Sequence, residues 1–345
     1  MTIQISRSKT KNIQSNASPV IGSAGSLVMQ ADSMDVIHNQ IGVGRKNIFH
    51  NGKCQVAQRL FAANVPASST GYYVDGWKQQ HANHTYSREF DDSLRCYYLE
   101  MQRSDDSVTT ALVYGVAEAY PGVFVNGEVY TISFLYSGTG LNFEAFFRVG
   151  SAGANIVNQV PNVTLPANEG NWARYEVSFV CTGKVDAHTA LNMRFGSYNT
   201  DTFKVTQLQL EKGNRATPFE HRSYNEELHL CQRYAYVCHT LGAGVYNSNT
   251  QFLVSQQFPT DMRVAPSISM LSTGGGQYGT INIEFDDTYA VNAINVTHAN
   301  SHALNRNNTV VTMERSSQNG AATGQGGVPV IDNSTTQAFV FSAEL

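Results

Sequence analysis

Alternation of apolar and polar residues is the feature that most narrows the folds open to this chain. Tyr130, Ile132, Phe134 and Tyr136 are interleaved with Thr131, Ser133 and Leu135; Tyr175, Val177, Phe179 and Cys181 are interleaved with Arg174, Glu176 and Ser178. Phe143, Ala145 and Phe147 give a shorter version. A period of two puts the apolar set on one face of an extended strand. Turn formers separate the runs: Asn126 and Gly127, the stretch SGTG at 137–140, and EGN at 169–171. Short strands of aromatic and β-branched residues broken by Gly and Asn predict an all-β sandwich over residues 47–222.

One stretch changes period. Ser223 with Glu226 three residues later reads as a capping box, and Leu228, Cys231 and Ala235 recur on one helical face. This predicts a helix of some three turns within a linker at 223–241. The β pattern returns over 242–345, with strands expected at 252–258, 267–271, 309–313 and 337–341, and Gly-, Asn- and Ser-rich loops between them. That region reads as a C-terminal β-sandwich tip. The expected class is mainly β: a sandwich, a short helix and a second sandwich, preceded by an extended N-terminal arm at 1–46.

The arm opens with a basic, polar stretch (Arg7, Lys9, Lys11) and has a short helical pattern only at 33–41, with Val36, Ile37 and Ile41 on its apolar face. It carries too little apolar surface to offset its ordering entropy alone, so a docking partner is expected. Composition excludes other classes. Apolar residues make up 41% of the 345, enough for a real core, but charged residues only 14%, against about 25% in an average globular protein. A formal charge of −4 gives no field for nucleic acid. The sequence has neither an apolar run long enough to span a membrane nor the pattern of a signal peptide, so no membrane insertion is expected, and synthesis and assembly are expected in a cytoplasm. Five cysteines, Cys54, Cys96, Cys181, Cys231 and Cys238, are an odd number with no CxxC pair; they read as reduced and mostly buried.

Four motifs then stand in order. NIFHNGKCQVAQR at 47–59 is followed by YYVDGW at 72–77. LQLEKGNRATPFEHRSYNEELHLCQRY spans 208–234, and FPTDMRVAPSI spans 258–268. The chain closes on FSAEL. Together these resemble a family of bacteriophage tail-fibre and virion-surface structural proteins over residues 47–345. Cys54 departs from that family's pattern, where Phe stands, and Val74 and Gly76 stand where Ala and Arg are usual. The resemblance implies a central jelly roll similar to a carbohydrate-binding module, and a non-enzymatic role in a virion.

Candidate functional residues are weighed against structural roles. Glu211, Glu220 and His221 are close in sequence and invite a catalytic reading. The extended Thr217-Pro218-Phe219 exit and a Glu220–Arg222 pair at the strand-to-helix hinge favour structure. His298 and His302 have metal-helix spacing, but their Asn- and Ser-rich surroundings read as a loop, and zinc needs three or four ligands. Asp91-Asp92, Asp105-Asp106 and Asp286-Asp287 lack the cadence of a calcium loop and read as solvated turns. Sugar rings stack on aromatic planes, which nominates Trp77, Trp172, Tyr97, Tyr98 and Tyr120; of these, Trp77 and Trp172 read as core. The sequence thus assigns no catalytic residue, metal ligand or cofactor, and leaves the glycan-binding residues open.

Three function classes follow: a tail fibre that binds host-surface glycans, a head-surface decoration or head fibre on the capsid, and a polysaccharide-degrading tailspike. The last needs a carboxylate pair on a repetitive β-helix, and no 20-to-30-residue repeat is present. The expected localisation is the virion. The expected partners are other virion proteins through the arm, a host-surface glycan or receptor, and the chain itself as a homotrimer, because the C-terminal region has few large apolar residues for its length.

Overall fold

The computed structural model describes residues 46–59, 64–65, 71–79, 84–103, 113–118, 122–149, 155–184, 190–197, 202–239, 241–246, 248, 251–272, 280–284, 293–303, 308–315, 326–331 and 337–344. The chain separates into two compact units, Met1–Lys46 and Asn47–Leu345. The expected arm and its helix at 33–41 lie outside the described residues, as do Tyr120, Asp105, Asp106, Asp286 and Asp287.

Asn47–Leu345 is mainly β, and its first part is a jelly-roll-type sandwich of two six-stranded sheets. The first sheet runs, in spatial order, β1 (Asn64–Val65), β4 (His84–Asp91), β5 (Cys96–Arg103), β12 (Thr202–Lys212), β7 (Val129–Gly138) and β10 (Asn168–Val180). The second runs β2 (Gly71–Val74), β3 (Trp77–Gln79), β6 (Val113–Glu118), β11 (Ala190–Ser197), β8 (Leu141–Val149) and β9 (Asn155–Thr164). Every neighbouring pair for which a register is resolved is antiparallel. Pro161, which cannot donate to a ladder, sits on the edge strand β9.

The alternating residues build the core between the sheets. Tyr130, Ile132 and Phe134 of β7 face Phe143 and Phe147 of β8 and Phe195 of β11, all buried. Phe134 lies 4.9 Å from the Phe143 ring and 5.0 Å from that of Phe195. Trp77 is fully buried against Phe49 and Phe195, which agrees with its core reading. The interleaved polar residues behave differently: Thr131 and Ser133 are also buried. The chain leaving β12 folds back over them, and Thr131 Oγ1 donates to the Gly213 carbonyl at 2.8 Å.

The helix, α1 (Tyr224–Gln232), starts as expected, with Ser223 Oγ accepting from the Glu226 amide. It is shorter than the apolar spacing implied. The Tyr234 amide closes it onto the Cys231 carbonyl at 2.8 Å, and Ala235 already belongs to β13 (Ala235–Cys238). Its buried face is Glu227 and Cys231, a polar and an apolar anchor rather than an apolar stripe. Beyond it, β13, β21 (Gln337–Ser342) and β16 (Ser267–Ser272) form a three-stranded sheet. β14 (Gly244–Tyr246), β15 (Gln251–Gln257), β19 (Asn308–Arg315), β18 (Ala293–Ala303), β17 (Thr280–Glu284) and β20 (Gly326–Ile331) close into a barrel. The C-terminal region is therefore all β, but its tip is a barrel beside a small sheet rather than two open layers. Closure leaves the barrel strands without free edges.

Candidate functional site

The sequence motifs converge on a buried polar cluster. Glu211 accepts from Thr217 twice, at 2.8 Å from its amide and 2.7 Å from its hydroxyl, and from Gln209 Nε2 at 3.0 Å. Gln209 Oε1 takes the Glu220 amide, and Glu220 in turn accepts the Asn47 amide. Arg222 donates to the carbonyls of Asn47 and Phe49 and approaches Glu220 at 3.3 Å and Glu227 at 3.4 Å. Glu227 accepts the Asn51 amide, while Asn51 clasps Val56 and Asp75 and its carbonyl receives the Trp77 indole. Arg59 closes the set with a two-pronged pair to Glu344, next to Asp75. Burial pushes Glu344 up to about 7 against the pull of Arg59. Glu227 is likewise raised by burial, opposed by the Asn51 amide and Arg222.

This cluster can tie chain ends together, and the cavity beside it, lined by His50, Tyr234 and Glu344, measures only about 10 Å³. Next to it, His50 stacks flat on Tyr234 at 4.5 Å, and its pKa is lowered to about 4, first by burial and then by Arg222. Glu211 and Glu220 are thus tied into the hinge between β12 and α1. His221 is exposed and packs edge-on against Phe219. The expected Glu220–Arg222 pair is present.

An open groove lies further along the same outer face of the first sheet. Its volume is about 440 Å³, within the range of small-ligand sites, about 300–1,000 Å³. Its floor is the Glu100–Lys204 cross-strand pair of β5 and β12, with Nζ 3.2 Å from Oε2. Gly138 extends the floor at the end of β7: its φ is +116°, and a Cβ there would lie 2.4 Å from the Thr202 carbonyl, so only glycine fits. Trp172 is the wall. Between Asn168 and Ala173 the register of β10 on β7 shifts, and this excursion carries Trp172 out of the ladder. Its indole donates to Asp91 Oδ2 at 2.9 Å, and its ring meets that of Tyr98 edge-on at 5.6 Å.

Asp91 holds the wall in place. Its Oδ1 accepts from the Ser93 amide and hydroxyl and the Leu94 amide, so the Asp91 turn presents Oδ2 to the indole. The Ser93 hydroxyl, the Leu94 amide and the Trp172 indole lower its pKa to about 2. Lys204 Nζ also sits 5.1 Å over the Tyr98 ring. An aromatic plane at Trp172 flanked by hydroxyl and backbone groups at Thr139 and Thr202 is an arrangement that can stack a ring and hydrogen-bond its substituents.

The expectations divide accordingly. Tyr98 does not line the groove but backs it, its ring against Trp172 and beneath Lys204. Trp172 is half-buried at the groove rather than in the core, because the excursion lifts it off the strand its sequence continues. Tyr97 points the other way, against the core, with Arg88 stacked 3.6 Å above its ring. Asp91 and Asp92 lie at a turn, with Asp91 bound to the indole. His298 and His302 lie on strand β18, not in a loop, because 296–303 pairs with β19. Four residues of strand span about 13 Å, too far for one ion. Among the described residues no group of three or more His, Cys, Asp or Glu side chains is placed to hold a metal, and no helix is long and apolar enough to cross a membrane. Cys54, Cys96, Cys181 and Cys231 are buried free thiols and Cys238 is half-buried. Sequence reasoning missed Glu100 and Lys204; the EGN turn just before Trp172 was the signal that this ring leaves the sheet.

Fold and groove together define a β-sandwich with an open aromatic cleft on one sheet. No family model matches the chain, and no curated protein does. Among solved structures it is similar to a protein from Bacteroides thetaiotaomicron, with 10% identity over 49% of this chain and 100% of that one and a TM-score of 0.34. It is similar to the xylan-binding CBM22-1 domain of Paenibacillus barcinonensis Xyn10C, with 11% identity over 47% and 99% and a TM-score of 0.32. A third is the enzymatically active domain of bacteriophage CBA120 tailspike protein 4, with 12% identity over 48% of this chain and 21% of that one and a TM-score of 0.34. Likenesses this distant do not bear on what the chain binds.

Proposed function

We propose that the chain is a non-enzymatic structural protein of a bacteriophage particle, a tail fibre that binds a host-surface glycan in the groove under Trp172. The observation that carries the binding half is the fixed aromatic wall: Trp172, locked by Asp91 and Tyr98, over a polar floor. The virion half is supported by the four ordered motifs, whose residues knit the sandwich, helix and C-terminal strand into one scaffold. Two features support a binding rather than a hydrolytic role. Glycoside cleavage needs a carboxyl kept protonated as general acid, whereas Asp91 is held ionised and Glu100 is paired with Lys204. The raised carboxyls Glu227 and Glu344 belong to the buried cluster.

On this reading residues 1–46 attach the protein to the particle, copies assemble as a homotrimer, and affinity per site is weak, roughly millimolar, strengthened by several copies acting together. The test is binding of the full chain to host-surface polysaccharide, with Trp172→Ala beside it. Retention that is lost in the variant while its fold is kept is the expected result. Retention that survives the substitution would place the site elsewhere. Deleting residues 1–46 should give folded protein that no longer joins particles.

A further inference from the structure

We infer that the groove selects uncharged glycans and turns away those bearing uronate or phosphate, with Asp91 as the residue that sets this preference; the inference rests on the glycan reading above. Among the described residues, three ionisable side chains line the groove: Asp91, Glu100 and Lys204. Two carboxylates against one ammonium leave a net charge of −1. The ammonium is partly offset before any ligand arrives, since it lies 3.2 Å from Glu100 Oε2 and over the face of Tyr98. An anionic sugar would enter a site whose one described cation already faces a carboxylate.

The position of the remaining charge makes the effect local. The carboxylate of Asp91 is the group that fixes Trp172, so the stacking surface and the negative charge form one unit. A sugar ring stacked on Trp172 cannot avoid that carboxylate. Its hydrogen bonds from Ser93, Leu94 and Trp172 keep it ionised across the physiological range. By Coulomb's law, like charges about 6 Å apart in a half-solvated cleft lower affinity about tenfold. The other polar groups at the groove, the hydroxyls of Thr139 and Thr202 and the backbone at Gly138 and Gly170, are neutral and suit sugar hydroxyls.

The experiment is a glycan array of matched pairs, each a neutral oligosaccharide and its uronate- or phosphate-bearing counterpart, probed with the full chain, Asp91→Asn and Trp172→Ala. Neutral members should be bound about tenfold better than their anionic partners, and their binding should change less than about twofold between low and high salt. In Asp91→Asn, whose carboxamide oxygen can still accept the indole, the ratio of neutral to anionic affinity should fall about tenfold. Anionic members bound as well as neutral ones, with binding lost in Trp172→Ala, would overturn the charge preference and leave the glycan site standing. An unchanged ratio in Asp91→Asn would overturn the role of that residue. Failure to bind any glycan would sink both this inference and the reading it rests on.

Discussion

One face of the first sheet has two halves with similar chemistry and opposite outcomes. At one end, Thr131, Ser133, Gln209 and Glu211 are sealed beneath the returning segment 213–222, and every carboxylate there has a buried partner. At the other end, Glu100, Lys204, Asp91 and Trp172 stay partly open to solvent around a groove. Both halves hold acids and bases close together. What separates them is coverage: burial converts a charge cluster into a structural lock, and partial exposure with a fixed aromatic leaves a surface for a ligand.

The largest expected effect tests the sealed half. Arg222→Ala leaves Glu227 buried without its cation and strips a donor from the Asn47 and Phe49 carbonyls. The expected loss is about 3–5 kcal/mol in urea unfolding, the range for breaking a buried pair by removing one partner. A loss under about 1 kcal/mol would mean that the cluster is not a lock.

Next comes a pH effect in the same region. His50 is buried, and burial lowers its pKa to about 4 from the usual 6.5. A depressed histidine binds its proton less readily folded than unfolded, so stability is full above pH 6.5 and declines as pH falls toward 4. The contribution is about 3 kcal/mol. Glu227, raised by burial, acts with the opposite sign, so the readout is the difference between the wild type and His50→Gln: the variant should lose the decline between pH 6.5 and 4. Equal slopes in the two proteins would show that His50 does not titrate with folding.

The contrast between the halves also explains what the sequence could reveal. The strands of the sandwich were legible because Tyr130, Ile132, Phe134, Phe143 and Phe147 follow the period of two. The buried cluster was not, since Asn47 meets Leu208 and Arg222 across 161 and 175 residues, and no local pattern encodes such pairings. Burial of Thr131 and Ser133 contradicts alternation for the same reason: the cover comes from another stretch of chain. Trp172 was recognisable as an aromatic of interest, but its side of the sheet depends on a register shift in β10. Strand length and turn residues do not distinguish open sheets from a closed barrel, which is why the C-terminal sequence predicts a sandwich where the structure has a barrel.

A smaller effect is expected at the helix that leaves the sealed half. Ser223 caps α1 through its hydroxyl, 3.3 Å from the Glu226 amide, at an exposed position. Ser223→Ala should lower stability by about 1 kcal/mol. Because Glu227 and Cys231 still anchor the helix, the rest of the fold should keep its unfolding cooperativity. A separate early transition in the variant would show that the cap, not the buried anchors, holds the helix in place.

The smallest effect belongs to the open half and puts the comparison at most risk. Lys204 and Glu100 are 36% and 33% exposed, and their ion pair spans two strands whose backbones are already in register. Exposed pairs of this kind contribute about 0–1 kcal/mol. Lys204→Met keeps an apolar stem over the Tyr98 ring and removes only the ammonium, so the unfolding free energy should move by less than about 0.5 kcal/mol. The same change frees Glu100 and takes the groove from −1 to −2, so discrimination against anionic glycans should grow rather than shrink. If Lys204→Met instead destabilised the fold on the scale of Arg222→Ala, the groove would be a second lock, and exposure would not be what distinguishes the two halves.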